Sequence, residues 1–425
     1  MPVNMNDVLI EKKLLILGGI PLAKEIVKRA KAMGVTVYVT DYLSDSPAKS
    51  IADKSFMVST TDVDSVVKLI KEERIDGVLT GFVDMLLPYY QQICEKAGLP
   101  CYGTKEQFEI TTNKNKFKDL CRKFNIPVVD DYKISEISNI KYPIIIKPVD
   151  NSGARGIAIC NKQEDFNNKY EYALSFSPGK QVIIEQYMKN FDEASIFYVA
   201  INGEIYLTAM ANRFLNDNQI GVIPLPVAYL FPFTFLEKYN DHLNNKVIDM
   251  LKHIGIKNGI IFIQSFVKNE ECIFYEMGYR LTGSLEYILS DYSNGINTMD
   301  MLIRFALTGV MTEKEIYPSA DFNFPCCNIT FLIKPGKIGS IAGIEDIKQI
   351  PGVIALFLSK EEGFILPENA KGTLNQVILR VFASRETKIQ LKETMDRIHN
   401  AFKVYDENGN DMLLKVFDTN ELFRY

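Results

Sequence analysis

The stretch "IIIKPVDNSGARGIAI", residues 144–159, decides the fold of the central part of the chain. An apolar run ends in Lys147, a glycine-containing turn follows, and a second apolar run begins at Gly156. Glycine turns beside a lysine commonly hold phosphates, but in phosphate loops of the Walker type a helix follows the turn. The pattern here predicts two strands joined by a turn, which is either a phosphate-binding hairpin or a plain one.

Composition is that of a soluble globular protein, with 47% hydrophobic and 24% charged residues. The 425 residues predict about three domains, and a net charge of −5 gives no sign of general nucleic-acid binding. No apolar run approaches 18 residues and the first residues lack a signal-peptide pattern, so we expect a cytoplasmic chain without membrane contact. Seven cysteines without a CxxC pair favour reduced, buried thiols over zinc or disulfides.

The first part of the chain alternates strand and helix patterns. Apolar runs at 14–18, 35–39 and 77–80 predict strands, and helical spacing is found in 22–33 and in the segments "SVVKLIKEE" and "MLLPYYQQICEKAG". Such alternation predicts a doubly wound parallel sheet. We therefore assign residues 1–111 to a Rossmann-like N-terminal domain of α/β class.

The remaining chain divides into a central and a C-terminal α+β domain. The pattern predicts a helix that ends before Pro127, strands at 144–149, 157–160 and 181–185, and a helix within 162–174. We assign residues 112–320 to the central domain and 321–425 to a small α+β domain. The latter opens with "NITFLIKPGKIGSI", which predicts strand, turn and strand.

Charged residues at ordered positions add chemistry to the glycine turn. Lys114 begins the helix before Pro127, Lys147 lies on a strand, and Glu185 ends another strand. Lysines on separate elements suit the distributed charge of a triphosphate, and N–H groups of a glycine turn suit its outer oxygens. The ordinary explanation of the lysines at 114, 116, 118 and 123 is a solvated helix face.

The segment "GIIFIQSFVKNEECIFYEMGYRLTG", residues 259–283, predicts two strands joined by a polar turn. Such a hairpin brings Gln264 and Glu276 together, and their oxygens, with nucleotide phosphates, suit Mg²⁺. Arg280 follows and is suited to stabilising a transferring phosphoryl group or an oxyanion. A structural ion pair is the alternative for Arg280.

The ordered set resembles the ATP-grasp ligases, whose members include biotin carboxylase, glycinamide ribonucleotide synthetase, L-amino-acid ligases and the carbamoyl-phosphate synthetase large subunit. The resemblance covers essentially the whole chain. It implies an N-terminal doubly wound domain, a central two-lobed ATP-grasp domain with a lid at about 126–186, and a small C-terminal α+β domain. It rests on Asn113-Lys114 before Asn125-Ile126-Pro127, on Lys147-Pro148 before Gly153 to Ile157, and on Glu276 to Gly283.

The resemblance implies a complete ATP site and a role for each residue in it. Catalytic roles fall to Arg280 and Lys147, and metal binding falls to Gln264 and Glu276, with Mg²⁺ as the ion and Mn²⁺ as the alternative. Backbone groups at Gln186 and Met188 are implied to read the base, and Glu193 to meet the ribose. The full set implied to bind ATP is Lys114, Lys147, Ser152, Gly153, Gly156, Glu185, Gln186, Tyr187, Met188 and Glu193.

Three positions depart from the family pattern. Asn113 replaces an acid, Gln264 replaces a carboxylate, and Gly278 stands where many relatives carry an asparagine ligand to the metal. The last two put a second metal ion in doubt.

The implied activity is an ATP-dependent ligase that activates a carboxylate as an acyl phosphate and joins it to an amine, with an amino-acid ligase as one option. The alternatives are a ligase like the purine-pathway enzyme that joins glycine to phosphoribosylamine, a nucleotide-binding sensor or pseudoenzyme, and a phosphotransferase. Asp84, Ser284 and Glu286 are further candidates for substrate contacts. The partners expected are a small carboxylate and a small amine, and the oligomer considered is a homodimer.

Overall fold

The computed structural model describes residues 9–151, 155–189, 191–216 and 224–424. Its N-terminal part is a parallel sheet, ordered β3-β2-β1-β4, with helices packed on it. Residues 14–17 of β1 are fully buried, as expected for a strand covered on both faces. The predicted parallel sheet is confirmed, whereas β3 and α4 were missed; β3 has no apolar run to reveal it. The elements are β1 Lys13–Leu17, α1 Ala23–Ala32, β2 Thr36–Thr40, β3 Lys54–Phe56, α2 Val63–Glu73, β4 Gly77–Leu79, α3 Leu87–Ala97 and α4 Lys105–Thr112.

The next segment forms a small antiparallel sheet, here called the lid sheet, ordered β6-β5-β7. Its strands pair Ile144 with Cys160 and Ile145 with Glu185, so the quoted stretch is a hairpin, as predicted. The apolar face of the sheet packs on α6 through Ile144, Ile146 and Phe166. The elements are α5 Lys114–Lys123, β5 Ile144–Pro148, β6 Ala158–Cys160, α6 Phe166–Ser175 and β7 Val182–Gln186.

A larger antiparallel sheet, here called the main sheet, follows and runs in the order β12-β11-β8-β9-β10. The predicted hairpin of residues 259–283 is its edge, formed by β11 and β12. The elements are β8 Asp192–Ile201, β9 Glu204–Asn216, β10 Leu225–Phe231, α7 Leu236–Tyr239, α8 Asn245–His253, β11 Gly259–Lys268, β12 Glu271–Gly278, α9 Tyr287–Asn294 and α10 Thr298–Thr308.

Three of the C-terminal strands extend the main sheet, and three others form a separate small sheet. After β10 the order continues as β13-β17-β15, while β14, β16 and β18 form a small outer sheet. The two strands predicted in "NITFLIKPGKIGSI" exist as β13 and β14, but they lie in different sheets. The main sheet therefore crosses the predicted boundary at residue 320. The elements are β13 Cys326–Leu332, β14 Gly336–Ala342, α11 Ile344–Lys348, β15 Val353–Leu358, β16 Ile365–Leu366, β17 Val377–Ser384, α12 Lys388–Ala401 and β18 Lys403–Asp406.

Candidate functional site

The candidate site begins with Lys147 on the lid sheet. Strand pairing puts Ile145 opposite Glu185, so Lys147, two residues further along β5, projects from the same face as that carboxylate. The ammonium of Lys147 lies 2.6 Å from Oε2 of Glu185 and 5.3 Å from the ring centre of Tyr275. Both Lys147 and Glu185 are buried. The structure thus joins two residues that the sequence placed on separate strands.

A second lysine, Lys118, completes this buried charge cluster and was assigned wrongly from the sequence. Its side chain is fully buried and its ammonium lies 2.8 Å from Oε1 of Glu185 and 3.1 Å from Oδ1 of Asp131. Burial alone would raise the pKa of the Glu185 carboxyl, but the charges of Lys147 and Lys118 outweigh burial and lower that pKa. The prediction that these lysines lie on a solvated helix face is correct for residues 116 and 123, which are exposed. It is wrong for residues 114 and 118, which are buried.

The first residue of α5, Lys114, connects the lid to the hairpin of β11 and β12. The side chain of Asn113 caps the helix by accepting bonds from the two backbone N–H groups that follow Lys114. The Lys114 ammonium donates to the carbonyl of Asn151 at 2.9 Å and lies 3.6 Å from Oε1 of Glu276. It therefore lies between the glycine turn and the predicted metal carboxylate, where phosphate charge is expected.

The hairpin brings Gln264 and Glu276 directly opposite each other, as predicted. The Glu276 side chain is 29% exposed, so its carboxylate is accessible to a ligand. Among the described residues no group of three His, Cys, Asp or Glu side chains forms a metal cluster. One carboxylate and one amide oxygen fit a Mg²⁺ ion that takes its other ligands from phosphates and water.

The glycine at position 278 has a steric cause. A Cβ atom built on Gly278 would lie 2.2 Å from the ring of Phe262, its partner across the hairpin. The ring thus fills the space that an asparagine side chain would need. An aromatic ring cannot ligate a cation such as Mg²⁺ as an amide oxygen does, so this position supplies no side-chain ligand.

Arg280 makes a two-bonded ion pair with Asp84 of the N-terminal domain. Nε and Nη2 of Arg280 donate to the two oxygens of Asp84, both at 2.6 Å, and Nη1 donates to the carbonyl of Leu281. Its guanidinium lies 5.0 Å from the ring centre of Phe262. Burial lowers the pKa of Arg280, but Asp84 outweighs it and raises that pKa, so the charge is fixed. The structural ion pair considered as the alternative for Arg280 is therefore present, with Asp84 as its partner. A catalytic role of Arg280 stays a prediction.

The predicted adenine segment lies beside a small apolar cluster. Met188 packs with Val129 and Tyr275, and Phe266 and Ile273 border them. The backbone N–H of Gln186 donates to the carbonyl of Asp130 at 3.1 Å, so this N–H is already engaged. If Gln186 contacts the adenine base through its backbone, the contacting atom is therefore its carbonyl oxygen.

Glu193 forms a buried network that the sequence did not reveal. It pairs with Arg213, which lies opposite it in the strand register, and accepts a bond from the Tyr275 hydroxyl at 3.0 Å. Arg213 and Tyr275 are the residues missed here. Their signal was the strand register itself, because cross-strand neighbours of a predicted site residue share its face. Contact of Glu193 with a ribose stays a prediction.

The glycine turn lies partly within the described residues. Ser152 and Gly153 lie outside them. Gly156 has a φ of 75°, and a Cβ there would lie 2.4 Å from Phe176, so the turn requires glycine at this position. Asp150 fixes the start of the turn by accepting bonds from the hydroxyl of Ser177 and the N–H of Gly179. None of the helices in the described ranges is long and apolar enough to cross a membrane.

Lysines and carboxylates of the lid sheet, α5 and the β11–β12 hairpin thus come together at one site, and the sequence of this region matches a known family. Residues 113–314 match the ATP-binding domain of the carbamoyl-phosphate synthase L chain. The resemblance to the ATP-grasp proteins and the fold class predicted from the sequence are confirmed.

Individual relatives agree with this class. The chain is 29% identical over 345 residues to a formate-dependent phosphoribosylglycinamide formyltransferase of Prochlorococcus marinus subsp. pastoris, covering 77% of this chain and 80% of the relative. The L-amino acid ligase of Bacillus licheniformis is similar in structure, with a TM-score of 0.76 and 18% identity over 94% of this chain and all of the other.

A third similar protein is the biotin carboxylase domain of a Hydrogenobacter thermophilus 2-oxoglutarate carboxylase, solved with MgADP and bicarbonate. Its TM-score is 0.75 at 16% identity, over 95% of this chain and 91% of that one. The predictions of an enzyme, of ATP binding and of the ATP-dependent carboxylate–amine ligase class are confirmed.

Proposed function

We propose that the chain binds MgATP between the lid sheet and the main sheet, and uses it to join a carboxylate to an amine. The observation that carries this proposal is the position of Lys114, which contacts both the glycine turn at Asn151 and the carboxylate of Glu276. A triphosphate lying between those two groups would contact the charge of Lys114, N–H groups of the turn and a metal ion bound by Glu276. Mg²⁺ supplies charge neutralisation on the phosphates when bound, and Mn²⁺ is the alternative ion.

The reaction proceeds in two steps. An oxygen of the substrate carboxylate attacks the γ-phosphorus, the bond to the bridging oxygen breaks, and ADP leaves. The amine then attacks the acyl carbon, its nitrogen loses a proton to water, and phosphate leaves with the oxygen that came from the carboxylate. Lys147 and Lys114 stabilise the negative charge of the transferring group, because lysine charges in a buried site are weakly screened.

Arg280 acts at the side of the acyl group. Its charge is permanent and two of its nitrogens are held by Asp84, which fixes the orientation of the guanidinium plane. A preoriented cation stabilises an oxyanion without reorganisation during the reaction. Asp84 therefore positions Arg280.

The substrates are the finer part of the proposal. The relative from Prochlorococcus is named for formate and phosphoribosylglycinamide, and the Bacillus neighbour for amino acids. We take formate with phosphoribosylglycinamide, pairs of L-amino acids, and glycine with phosphoribosylamine as the sets to test. Action in the cytoplasm and a homodimer remain predictions.

A second candidate is a nucleotide-binding protein without ligase chemistry. The Phe262 ring against Gly278 favours it, because the ring leaves no room there for a side-chain metal ligand. This candidate predicts ATP binding without ADP release for every substrate pair.

The test is ADP release from ATP across those substrate sets, with four proteins compared. The wild type releases ADP with at least one pair, and Lys147→Ala reduces the rate roughly 100-fold or more. Glu276→Gln, at a partly exposed side chain, reduces it without loss of the fold. Lys141→Ala is the matched control, since this lysine is exposed and precedes the same strand. Wild-type turnover by the Lys147 variant refutes the proposed roles, and binding without turnover supports the second candidate.

A further inference from the structure

A buried arginine in the C-terminal strands of the main sheet, Arg380, has no role in the site described so far. It lies on β17 opposite Thr330, and its side chain is almost completely buried. Among residues 9–151, 155–189, 191–216 and 224–424 it makes no salt bridge, and its side-chain hydrogen bond is donated to Thr330 Oγ1 at 2.5 Å. A guanidinium has five N–H donors, so most of its capacity is unused by the described residues.

Strand register places Arg380 on the ligand side of the sheet. Gln264 lies opposite Ser195, and Glu193, two residues away on β8, lies opposite Arg213. Arg213 in turn lies opposite Tyr229 on β10, and Tyr229 lies opposite Asn328 on β13. Thr330 and its partner Arg380 are two residues further along, so they share the face that carries the predicted metal ligands.

A chain of hydrogen bonds links Arg380 to the segment that follows Arg280. Thr330 Oγ1 lies 3.5 Å from Oδ1 of Asn328, and Nδ2 of Asn328 donates to the carbonyl of Ser284 at 2.6 Å. Ser284 in turn donates to Glu286 at 3.1 Å. Arg380 is thereby linked to Ser284 and Glu286, in the segment that follows Arg280.

Within the part of the chain that the structure describes, no carboxylate contacts Arg380 directly. Burial lowers its pKa and the charge of Arg213 lowers it further, whereas Tyr229 and Glu286 act in the opposite direction. The carboxylate of Glu286 accepts its bonds from Thr282 and Ser284. A buried cation without a bonded counterion is costly unless a ligand supplies the anion.

We infer that Arg380 binds an oxyanion of the amine substrate, so that this substrate carries a carboxylate or a phosphate besides its amine. The inference rests on the proposed function. A guanidinium binds either oxyanion through paired N–H bonds, and the Glu286 carboxylate nearby suits the amine of the same molecule. An α-amino acid and an amino ribonucleotide both have this chemistry.

The test measures binding of three probes by calorimetry in the presence of Mg²⁺ and a non-hydrolysable ATP analogue. L-Alanine carries a carboxylate, phosphoribosylglycinamide carries a phosphate, and L-alaninamide carries neither. We expect one of the two anionic probes to bind the wild type, and to bind Arg380→Gln roughly 10- to 100-fold more weakly. Which probe binds tells the carboxylate from the phosphate. Arg397→Gln, an exposed position on α12, is the matched control and leaves binding unchanged.

Two further variants keep the test decisive if Arg380→Gln does not fold. Arg380→Lys keeps the charge but loses the paired N–H geometry, and Thr330→Val removes the hydroxyl that orients the guanidinium. Each is expected to weaken anionic-probe binding several-fold. The inference is wrong if neither anionic probe binds the wild type, if L-alaninamide binds as tightly as L-alanine and phosphoribosylglycinamide does not bind, or if every folded variant binds like the wild type. Failure of the proposed function shows separately, as absence of ADP release by the wild type.

Discussion

Replacement of Lys118 by methionine tests the buried charge cluster most sharply. Lys118 contacts Glu185, which is 1% exposed, and removal of one partner from a buried ion pair costs about 3–5 kcal/mol. Lys147 remains 2.6 Å from the same carboxylate, so Glu185 keeps one counterion. We therefore expect a cost below that range, about 2–3 kcal/mol, which corresponds to a fall in Tm of about 4–12 °C for an unfolding unit of roughly 200 residues.

The assay is thermal unfolding followed by circular dichroism at neutral pH, with Lys116→Met as the matched control. Lys116 lies on the same helix and its ion pair with Glu109 is exposed, so its loss lowers Tm by less than about 2 °C. Equal Tm values for the two variants would refute the argument.

The same variant also makes a prediction about pH. The lysines hold the pKa of Glu185 below its ordinary value of 4.5, so their stabilisation is complete above that pH and is lost as the pH falls through the lowered pKa. The difference in Tm between wild type and Lys118→Met is therefore constant near neutrality and shrinks in acid. A difference that grows in acid contradicts the assignment.

Three further predictions concern the hairpin and the C-terminal helix. Gly278→Asn lowers Tm because its Cβ would lie 2.2 Å from the Phe262 ring. Phe262→Ala added to the same chain recovers part of the lost Tm. An unchanged Tm in the single variant refutes the contact. Gln264→Glu adds a carboxylate beside Glu276 and lowers the Mg²⁺ concentration for half-maximal ATP binding several-fold, and an unchanged Mg²⁺ titration counts against a metal at this pair. Burial lowers the pKa of His399 from 6.5 to about 4, so its protonation costs up to about 3 kcal/mol of stability as the pH falls from 6.5 to 4. We expect His399→Phe to make Tm less dependent on pH between these values. An unchanged pH dependence of Tm excludes this histidine as the cause.

Local patterns in the sequence were sufficient for most elements and for one pair of site residues. Apolar runs and turn residues located the lid hairpin, and the spacing of Gln264 and Glu276 around a polar turn predicted their adjacency, which the register confirms. These features depend on neighbours within about 20 residues. Their signal therefore lies in a short stretch of sequence.

Long-range contacts could not be predicted in the same way. The pairing of Arg280 with Asp84 joins residues 196 positions apart, and nothing in "GFVDM" marks its acid for that contact. The burial of Lys118 was missed because a lysine on a helix is ordinarily solvated, although its spacing from Lys114 places both on one side of α5. The steric reason for Gly278 depends on a ring across the hairpin, which only the register reveals.

Transfer of oxygen from the carboxylate to phosphate tests the central claim most directly. The wild type is incubated with ATP, Mg²⁺, an amine and an ¹⁸O-labelled carboxylate from a pair that supports ADP release, and the released phosphate is analysed by mass spectrometry. An acyl phosphate predicts one ¹⁸O atom in each phosphate, because the carboxylate oxygen that attacked the γ-phosphorus leaves with it. Unlabelled phosphate, formed at the same rate as ADP, would contradict the account.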